Sequence, residues 1–426
     1  MFKSIYHRIL QLLFFGLLPL SGEVLRDSAG RPVRYAGRFD TRQVVIRDAA
    51  IRPDEFRGIW VAVVENIDFP THRSAAEFQR DFRRMADNIK AAGFTAIIFQ
   101  IRSNCDAFYP TGLAPWSRWL AGKEGTGLGS FDPLKFMIDE THKRGLEFHA
   151  WLNPYRVTGN TNLSKSAYLA TLAPNNFARK NPQCVLVKRN PAGNQLFLDP
   201  GRPEVITHLC TIVRDIVSRY QVDAIHFDDY FYPYEKLGNE DQATFRRFNP
   251  DNLTLDNWRR NNTDTLIYRV RLTITRNNLI QNRRVRFGIS PFGIWANRST
   301  NGNGSLTGGK ESFSVLFADT RKWVKLGYVD YITPQIYWDF AHDVAAYAAL
   351  TDWWCSVVSG TGVKLYIGIA AYNGGKWQSN ELINQLRYNR MRYHVSGAAF
   401  FSYRSFFGDG RNSGTVNLLN YLKNHR

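Results

Sequence analysis

Eight short apolar runs recur along the chain, interleaved with stretches of helical periodicity, and this alternation leaves few folds open. The runs occupy residues 58–64, 96–102, 147–153, 223–229, 285–291, 331–338, 364–370 and 397–403. Helical stretches lie between or after them, for example at 75–92, 133–144, 204–220, 312–326, 381–392 and 416–423. Phe78, Phe82, Met85 and Ile89 mark the apolar face of the first at three- and four-residue spacing. Eight strand–helix units predict an α/β fold, a single (β/α)8 TIM barrel with long loops at the carboxyl face of its strands. A doubly wound open sheet usually carries a glycine-rich phosphate loop after its first strand. Here that position reads Val64-Glu65-Asn66-Ile67-Asp68 and contains no glycine. The chain divides into an N-terminal segment at 1–22, a polar Arg-rich leader at 23–55 and the barrel at 56–426.

The first segment has the pattern of an export signal. Lys3 and Arg8 precede an apolar run from Ile9 to Leu20, and Ser21-Gly22 supplies small residues near a cleavage point. Gly16, Pro19 and Gly22 argue against a buried helix there. The run is too short to span a bilayer, and no later segment reaches the ~18 apolar residues a span requires. The expected location is periplasmic or secreted, with no lipid-bearing cysteine at the cleavage point. Cys105, Cys184, Cys210 and Cys355 form no CxxC pair. After export they allow up to two disulfides in any of three pairings, and as free thiols they are ordinary core residues.

Charge narrows the class of partner. Lys and Arg number 55 against 37 Asp and Glu, a net +18, which favours an anionic partner. The basic residues are spread along the chain without a nucleic-acid-binding motif, so an acidic glycan or envelope surface is preferred to nucleic acid. Two long loops, 155–203 and 297–309, stand where a barrel places its chemistry. The first holds a hairpin between 184–188 and 195–199.

The fourth apolar run ends in Asp228-Asp229 and continues into Tyr230, Phe231 and Tyr232. A strand covered on both faces is almost continuously apolar, so two carboxylates at its exit carry a desolvation cost that function has to explain. Side chains alternate along a strand. That parity turns Gln100, Arg102, His149, Trp151, Asn153, His226, Asp228, Gln335, Tyr337 and Asp339 toward the barrel mouth, where a structural barrel would place Val, Ile and Leu. Paired carboxylates and rings that stack on sugars point to glycosidic-bond chemistry. Asp228, Asp229 and Asp339 are the catalytic candidates, with Glu65, Asp106 and Asp199 in reserve as residues more often found in caps or ion pairs. Substrate contacts are expected from Arg102, Trp151, Asn153, Tyr155, Arg156, His226, Tyr230, Trp295, Gln335, Tyr337 and Tyr372. His149 and His226 lack metal-ligand spacing, so neither a metal nor a cofactor is expected.

The chain resembles the glycosyl hydrolase-like family ten barrels. The resemblance rests on Arg57-Gly-Ile-Trp60, on the run from Phe99 to Pro110, on Asp132-Pro133-Leu134 and on His149-Ala-Trp-Leu-Asn-Pro-Tyr-Arg156. It continues through Leu198-Asp-Pro-Gly201, the stretch from Asp223 to Pro233, Gly288-Ile-Ser-Pro-Phe-Gly293 and Pro334-Gln-Ile-Tyr-Trp338. It implies an exported enzyme acting on peptidoglycan, in the best-described case on strands stripped of stem peptides, with an association with the envelope or the division machinery. It maps the family's acidic strand-four motif onto Asp228 and Asp229. Relatives are often lipoproteins with an appended β-sandwich, and this chain shows neither feature. The expected function is an exported glycoside hydrolase of peptidoglycan-type amino-sugar strands. The alternatives are a catalytically silent glycan-binding barrel and a hydrolase of another acidic polysaccharide.

Overall fold

The computed structural model describes residues 22–425; the export signal expected at 1–22 lies, apart from Gly22, outside the described residues. Eight parallel strands close a barrel in sequential order: β1 Phe56–Val61, β2 Ala96–Arg102, β3 Glu147–Leu152, β4 Ala224–Phe227, β5 Arg286–Ile289, β6 Tyr331–Ile332, β7 Lys364–Ala370 and β8 Val395–Phe401. Each strand is followed by a covering helix: α1 Ala75–Ala91, α2 Pro133–His142, α3 Pro203–Arg219, α4 Leu255–Gln281, α5 Thr320–Lys325, α6 Tyr347–Val358, α7 Glu381–Arg390 and α8 Ser413–Asn424. The expected fold class holds, and the reason is local. Outward residues such as Ile97, Phe99, Ile225 and Phe227 pack under the helices in one large core, while Trp60, Ile98, Trp151, Tyr331 and Tyr366 fill the barrel interior.

Several elements depart from the sequence reading. β6 stops at Ile332 rather than running to 338. Pro334 has no N–H to give a ladder, so Gln335 makes only isolated bridges, to Phe292 and Gly368. The helix expected at 312–326 begins at Thr320, because the Asp319 side chain accepts from the Lys322 N–H and Phe317 sits at φ 49°, outside helical space. The four cysteines are buried and free.

The segment at 23–55 is laced onto the barrel wall. Glu23–Val24 pairs antiparallel with Val45–Ile46, and Val33, Val44 and Ile46 join the main core. Its polar side chains reach late elements: the Tyr35 hydroxyl donates to Asp352 at 3.2 Å and Arg387 pairs with Asp48 at 2.9 Å. At its end, Glu55 accepts from Arg390 Nε at 2.7 Å and from Arg57 at 2.8 Å. Burial alone would raise the Glu55 carboxyl, but the hydrogen bonds and charges of Arg390 and Arg57 outweigh it and hold it below the usual range.

Removing one member of a buried ion pair strands its partner. Arg390→Met should lower unfolding free energy by about 3 kcal/mol, softened from the upper range because Arg57 stays beside Glu55. Since the Glu55 carboxyl is depressed on folding, its stabilisation is present above the unfolded carboxylate pKa and is lost as pH falls through the lower folded value. Urea unfolding at neutral and acid pH checks both; a variant as stable as the parent at neutral pH would contradict the ledger for this pair.

Candidate active site

The interior of the barrel explains what its mouth can hold. On the floor, the Tyr331 hydroxyl lies 2.9 Å from His149 Nδ1 and 3.0 Å from His226 Nδ1. Gly288 makes room for that ring: a Cβ there would fall 1.9 Å from Tyr331 Cζ. His226 Nε2 contacts Ser290 Oγ at 3.0 Å and His149 Nε2 contacts Glu147 at 3.0 Å. Both imidazoles are fully buried and pushed below their ordinary pKa by that burial. They form a hydrogen-bonded layer under the site. Among the described residues no group of three or more His, Cys, Asp or Glu is placed to hold a metal ion.

Above this floor lies a cavity of about 340 Å3, within the range of small-ligand sites. Asp228 and Asp229 are the carboxylates on its wall, joined by Trp60, Gln100, Trp151, Arg156, Tyr230, Tyr234, Gln335, Tyr337 and Tyr372. Asp228 is surrounded by donors. Asn153 Nδ2 donates to its Oδ2, Trp151 Nε1 donates to the same oxygen at 3.3 Å, and the Tyr230 N–H donates to Oδ1 at 3.2 Å. Arg156 Nη2 stands 3.7 Å away, its guanidinium stacked 4.4 Å over the Tyr230 ring. A relay fixes the orientation of Asn153. Gln100 Oε1 accepts from the N–H groups of Val63 and Val64 at 3.0 Å each, so its amide nitrogen donates to Asn153 Oδ1 at 2.6 Å. That leaves Asn153 only its nitrogen to offer Asp228.

Asp229 is less well served. Its Oδ2 accepts from the Tyr234 hydroxyl, and its buried Oδ1 has no hydrogen-bond partner among the described residues. Burial raises both carboxyls, opposed at Asp228 by Arg156 and at Asp229 by the Tyr234 hydrogen bond; repulsion from Asp229 raises Asp228 further. Two adjacent buried carboxylates do not ionise together, so the pair retains a proton at pH values where a solvated Asp has none. Burial and the neighbouring charge push Asp228 the higher of the two, to about 7 against about 6 for Asp229, whereas the donors gathered on Asp228 favour its ionised form. We follow the donors and place the charge on Asp228 and the proton on Asp229.

The structure sorts the residues singled out from sequence. Trp151, Arg156, Asp228, Asp229, Tyr230, Gln335, Tyr337 and Tyr372 meet at the cavity, and Asn153 and His226 support it from the layer beneath. Four others do not line it. Strand alternation sends Arg102 inward, but a register shift between Gln100 and Arg102 breaks the alternation, and Arg102 is buried with Nη1 3.4 Å from the Asn153 carbonyl. Asp339 follows the interrupted β6, half-buried toward His342 and Glu381. Trp295 packs on Phe313 and Trp353, its N–H held by Asp319 at 3.0 Å. Tyr155 is fully buried in the core. Of the reserve carboxylates, Asp106 accepts from the Ser103 and Asn104 N–H groups in a local turn, and Asp199 accepts from Thr244 and Gly201. Both are structural. Trp60 and Tyr234 were not foreseen as site residues. Trp60 shares the inward parity of β1, and Tyr234 lies just past Pro233, where strand alternation has no hold.

A second cavity of about 720 Å3 adjoins the first, sharing Val64, Arg156, Tyr230 and Tyr234. Its outer wall is a three-stranded antiparallel sheet, Arg156–Thr161, Val185–Asn190 and Gly193–Leu198, which includes the hairpin expected in the long loop. Asn104, Asn160, Asn190 and Gln195 face it, with Trp119 and Tyr168. Glu65 stands exposed on its rim at φ 54°, a conformation that costs a non-glycine residue about 1 kcal/mol and concentrates at functional sites.

A family model described as glycosyl hydrolase-like 10 matches residues 55–382. Glycosyl hydrolase YngK of Bacillus subtilis is 41% identical over 361 residues, covering 82% of this chain and 68% of its own. Glycosyl hydrolase DigH of Escherichia coli K12 is 39% identical over 373 residues, covering 81% of this chain and 82% of its own. Among solved structures, α-L-fucosidase isoenzyme 2 from Paenibacillus thiaminolyticus aligns with TM-score 0.50 at 10% identity, covering 86% of this chain and 48% of that one. A β-galactosidase from Marinomonas ef1 aligns with TM-score 0.54 at 9% identity, covering 86% and 59%. At these identities the two structures speak to the fold alone.

The donor arrangement makes a prediction independent of any substrate. Replacing Asn153 by Leu removes a hydrogen bond to the charged form of Asp228, worth about 1.5 kcal/mol, so the Asp228 carboxyl should titrate about one pH unit higher. Carbon-13 carboxyl shifts measured against pH check this; a downward or absent displacement would mean that Asn153 is not the donor.

Proposed function

The chain belongs to the glycosyl hydrolase-like 10 family and is a glycoside hydrolase; from that premise we propose that it is exported and cleaves peptidoglycan-type amino-sugar strands. The observation that carries the chemistry is the unequal carboxylate pair. Asp229, holding the proton, donates it to the leaving glycosidic oxygen. Asp228, charged, held by three hydrogen-bond donors and faced by Arg156, stabilises the positive charge that grows at the anomeric carbon; water adds to that carbon and its proton returns to the Asp229 carboxylate. Tyr372, 46% exposed at the mouth, offers a ring face to the sugar.

Support for the polymer comes from the adjoining cleft and from the family resemblance. The amides of Asn104, Asn160, Asn190 and Gln195 both donate and accept, as an acetamido group requires of its neighbours. Arg156 lies between the two cavities and suits the carboxylate of a muramic acid unit. The net charge of +18 favours such a polymer over a neutral one.

Asp228→Asn and Asp229→Asn should each lower turnover of peptide-free glycan strands by at least ~10²-fold while binding persists, because an amide neither carries the charge nor donates the proton. Product masses give the cleaved bond. Binding without cleavage by the unaltered protein would favour a silent barrel, and cleavage of another acidic glycan alone would change the polymer. The N-terminal sequence of secreted protein tests export, with a start near Glu23 expected.

The pH profile tests the assignment of roles. Activity requires a protonated Asp229, so it falls as pH rises through that group's raised pKa. The Tyr234 hydroxyl stabilises the ionised form of Asp229 and lowers that pKa. Tyr234→Phe should therefore move the alkaline limb to higher pH, by about one unit for a hydrogen bond of ~1.5 kcal/mol to a charged group. An alkaline limb that stays in place would assign the proton elsewhere.

A further inference from the structure

The end of the barrel opposite the mouth carries a surface that glycan cleavage does not use. α4 is the longest helix, and it exposes large apolar side chains to solvent: Tyr268 is 44% exposed, Leu272 48%, Leu279 80% and Ile280 77%. Leu326, on the neighbouring α5–β6 turn, is 55% exposed, and Tyr328 beside it packs on Tyr268 at 5.1 Å. Two branched aliphatic residues standing side by side in water at a helix end have no folding benefit.

Charge surrounds them on one sign only. From 269 to 286 the sequence holds Arg269, Arg271, Arg276, Arg283, Arg284 and Arg286 and no carboxylate. The carboxylates that line the cavity at this end are already engaged: Glu147 with Arg286 at 2.6 Å, Asp330 with Arg271 at 2.5 Å and Asp223 with His142 at 2.8 Å; Asp54, before β1, acts on the far wall at Tyr366. Arg276 and Arg284 are exposed, and among the described residues neither makes an ion pair. Behind Leu279 opens a cavity of about 890 Å3 lined by Arg283, Arg284, Arg286 and Lys364. Arg286, Tyr331 and Lys364 begin β5, β6 and β7, which places the cavity at the amino end of the barrel, whereas Asp228 follows the carboxyl end of β4.

We infer that this face docks on an anionic lipid bilayer, with Leu279 and Ile280 entering the headgroup–acyl boundary and Arg276 and Arg284 meeting lipid phosphates. Protruding aliphatic side chains ringed by unpaired arginines match that boundary, which is apolar below and anionic above. The docked barrel turns its catalytic mouth away from the membrane. The inference stands apart from the identity of the polymer, since it involves no residue of the cleft.

The test is sedimentation of the full protein with vesicles of phosphatidylcholine alone and of an equimolar mixture with phosphatidylglycerol. The protein should partition onto the mixed vesicles only, and less so as salt rises. Arg276→Gln with Arg284→Gln should lower partitioning about 30-fold, taking ~1 kcal/mol for each basic residue near the surface. Leu279→Ser with Ile280→Ser should lower it at least ~10-fold. Both pairs are solvent-exposed, so melting temperature and cleavage of a soluble glycan should not change. No partitioning by the parent, equal partitioning onto both vesicles, or serine variants that bind fully would each overturn the inference. So would serine variants that break up an oligomer instead, since a second copy would then cover the face.

Discussion

The burial of two carboxylates at the exit of β4 is the constraint around which the rest of the barrel is arranged. An isolated charge in that position would cost several kcal/mol, and the fold offsets the cost by surrounding one of the two with donors. The arrangement begins at backbone level. The N–H groups of Val63 and Val64, freed where β1 ends, orient Gln100; Gln100 orients Asn153; Asn153 meets Asp228. β1, β2, β3 and β4 thus contribute one link each, and the strands that close the barrel also set the charge. The floor works in the same sense. His149, Tyr331 and His226 satisfy one another in a layer where aliphatic packing would have been simpler, so the mouth rests on polar groups with fixed positions.

Much of this was legible in the alternation of side chains. Parity along β2, β3 and β4 brings Gln100, Asn153 and Asp228 to one side, and they are the relay. Parity fails where a strand stops being regular. Arg102 lies past a register shift in β2, and Asp339 lies past Pro334, which ends the β6 ladder; each points away from the mouth for a reason local to its backbone. Trp295 shows a different limit: a ring near a strand exit is as useful for packing loops as for meeting a sugar. Helix periodicity is faint in two instructive places. α6 is buried nearly all round, and α4 buries Arg259, Asn262, Asp264 and Asn277 while exposing Leu272, Leu279 and Ile280, so neither shows a single stripe. The unreadable helix and the unexplained surface on α4 are one fact seen from two directions.

The two ends of the barrel gather different chemistry. The carboxyl end gathers carboxylates, rings and amides in a deep cavity continued by a cleft whose outer wall is built from the loop after β3. The amino end gathers arginines and protruding aliphatic groups. A net positive chain needs no gradient of charge to achieve this. It needs only that the acidic residues lining the amino-end cavity be held in ion pairs while those at the mouth are kept buried.

The segment at 23–55 has a consequence for the timing of assembly. Its partners are Asp343, Asp352, Arg387 and Arg390, all in the last quarter of the sequence, and β1 gains its second neighbour only when β8 arrives. While the chain is being synthesised, its first ordered residues therefore have only one another, and the contacts that lace them to the barrel wall are missing. The native state is out of reach until almost the whole polypeptide has emerged. Late closure of this kind makes the barrel complete itself after synthesis rather than during it.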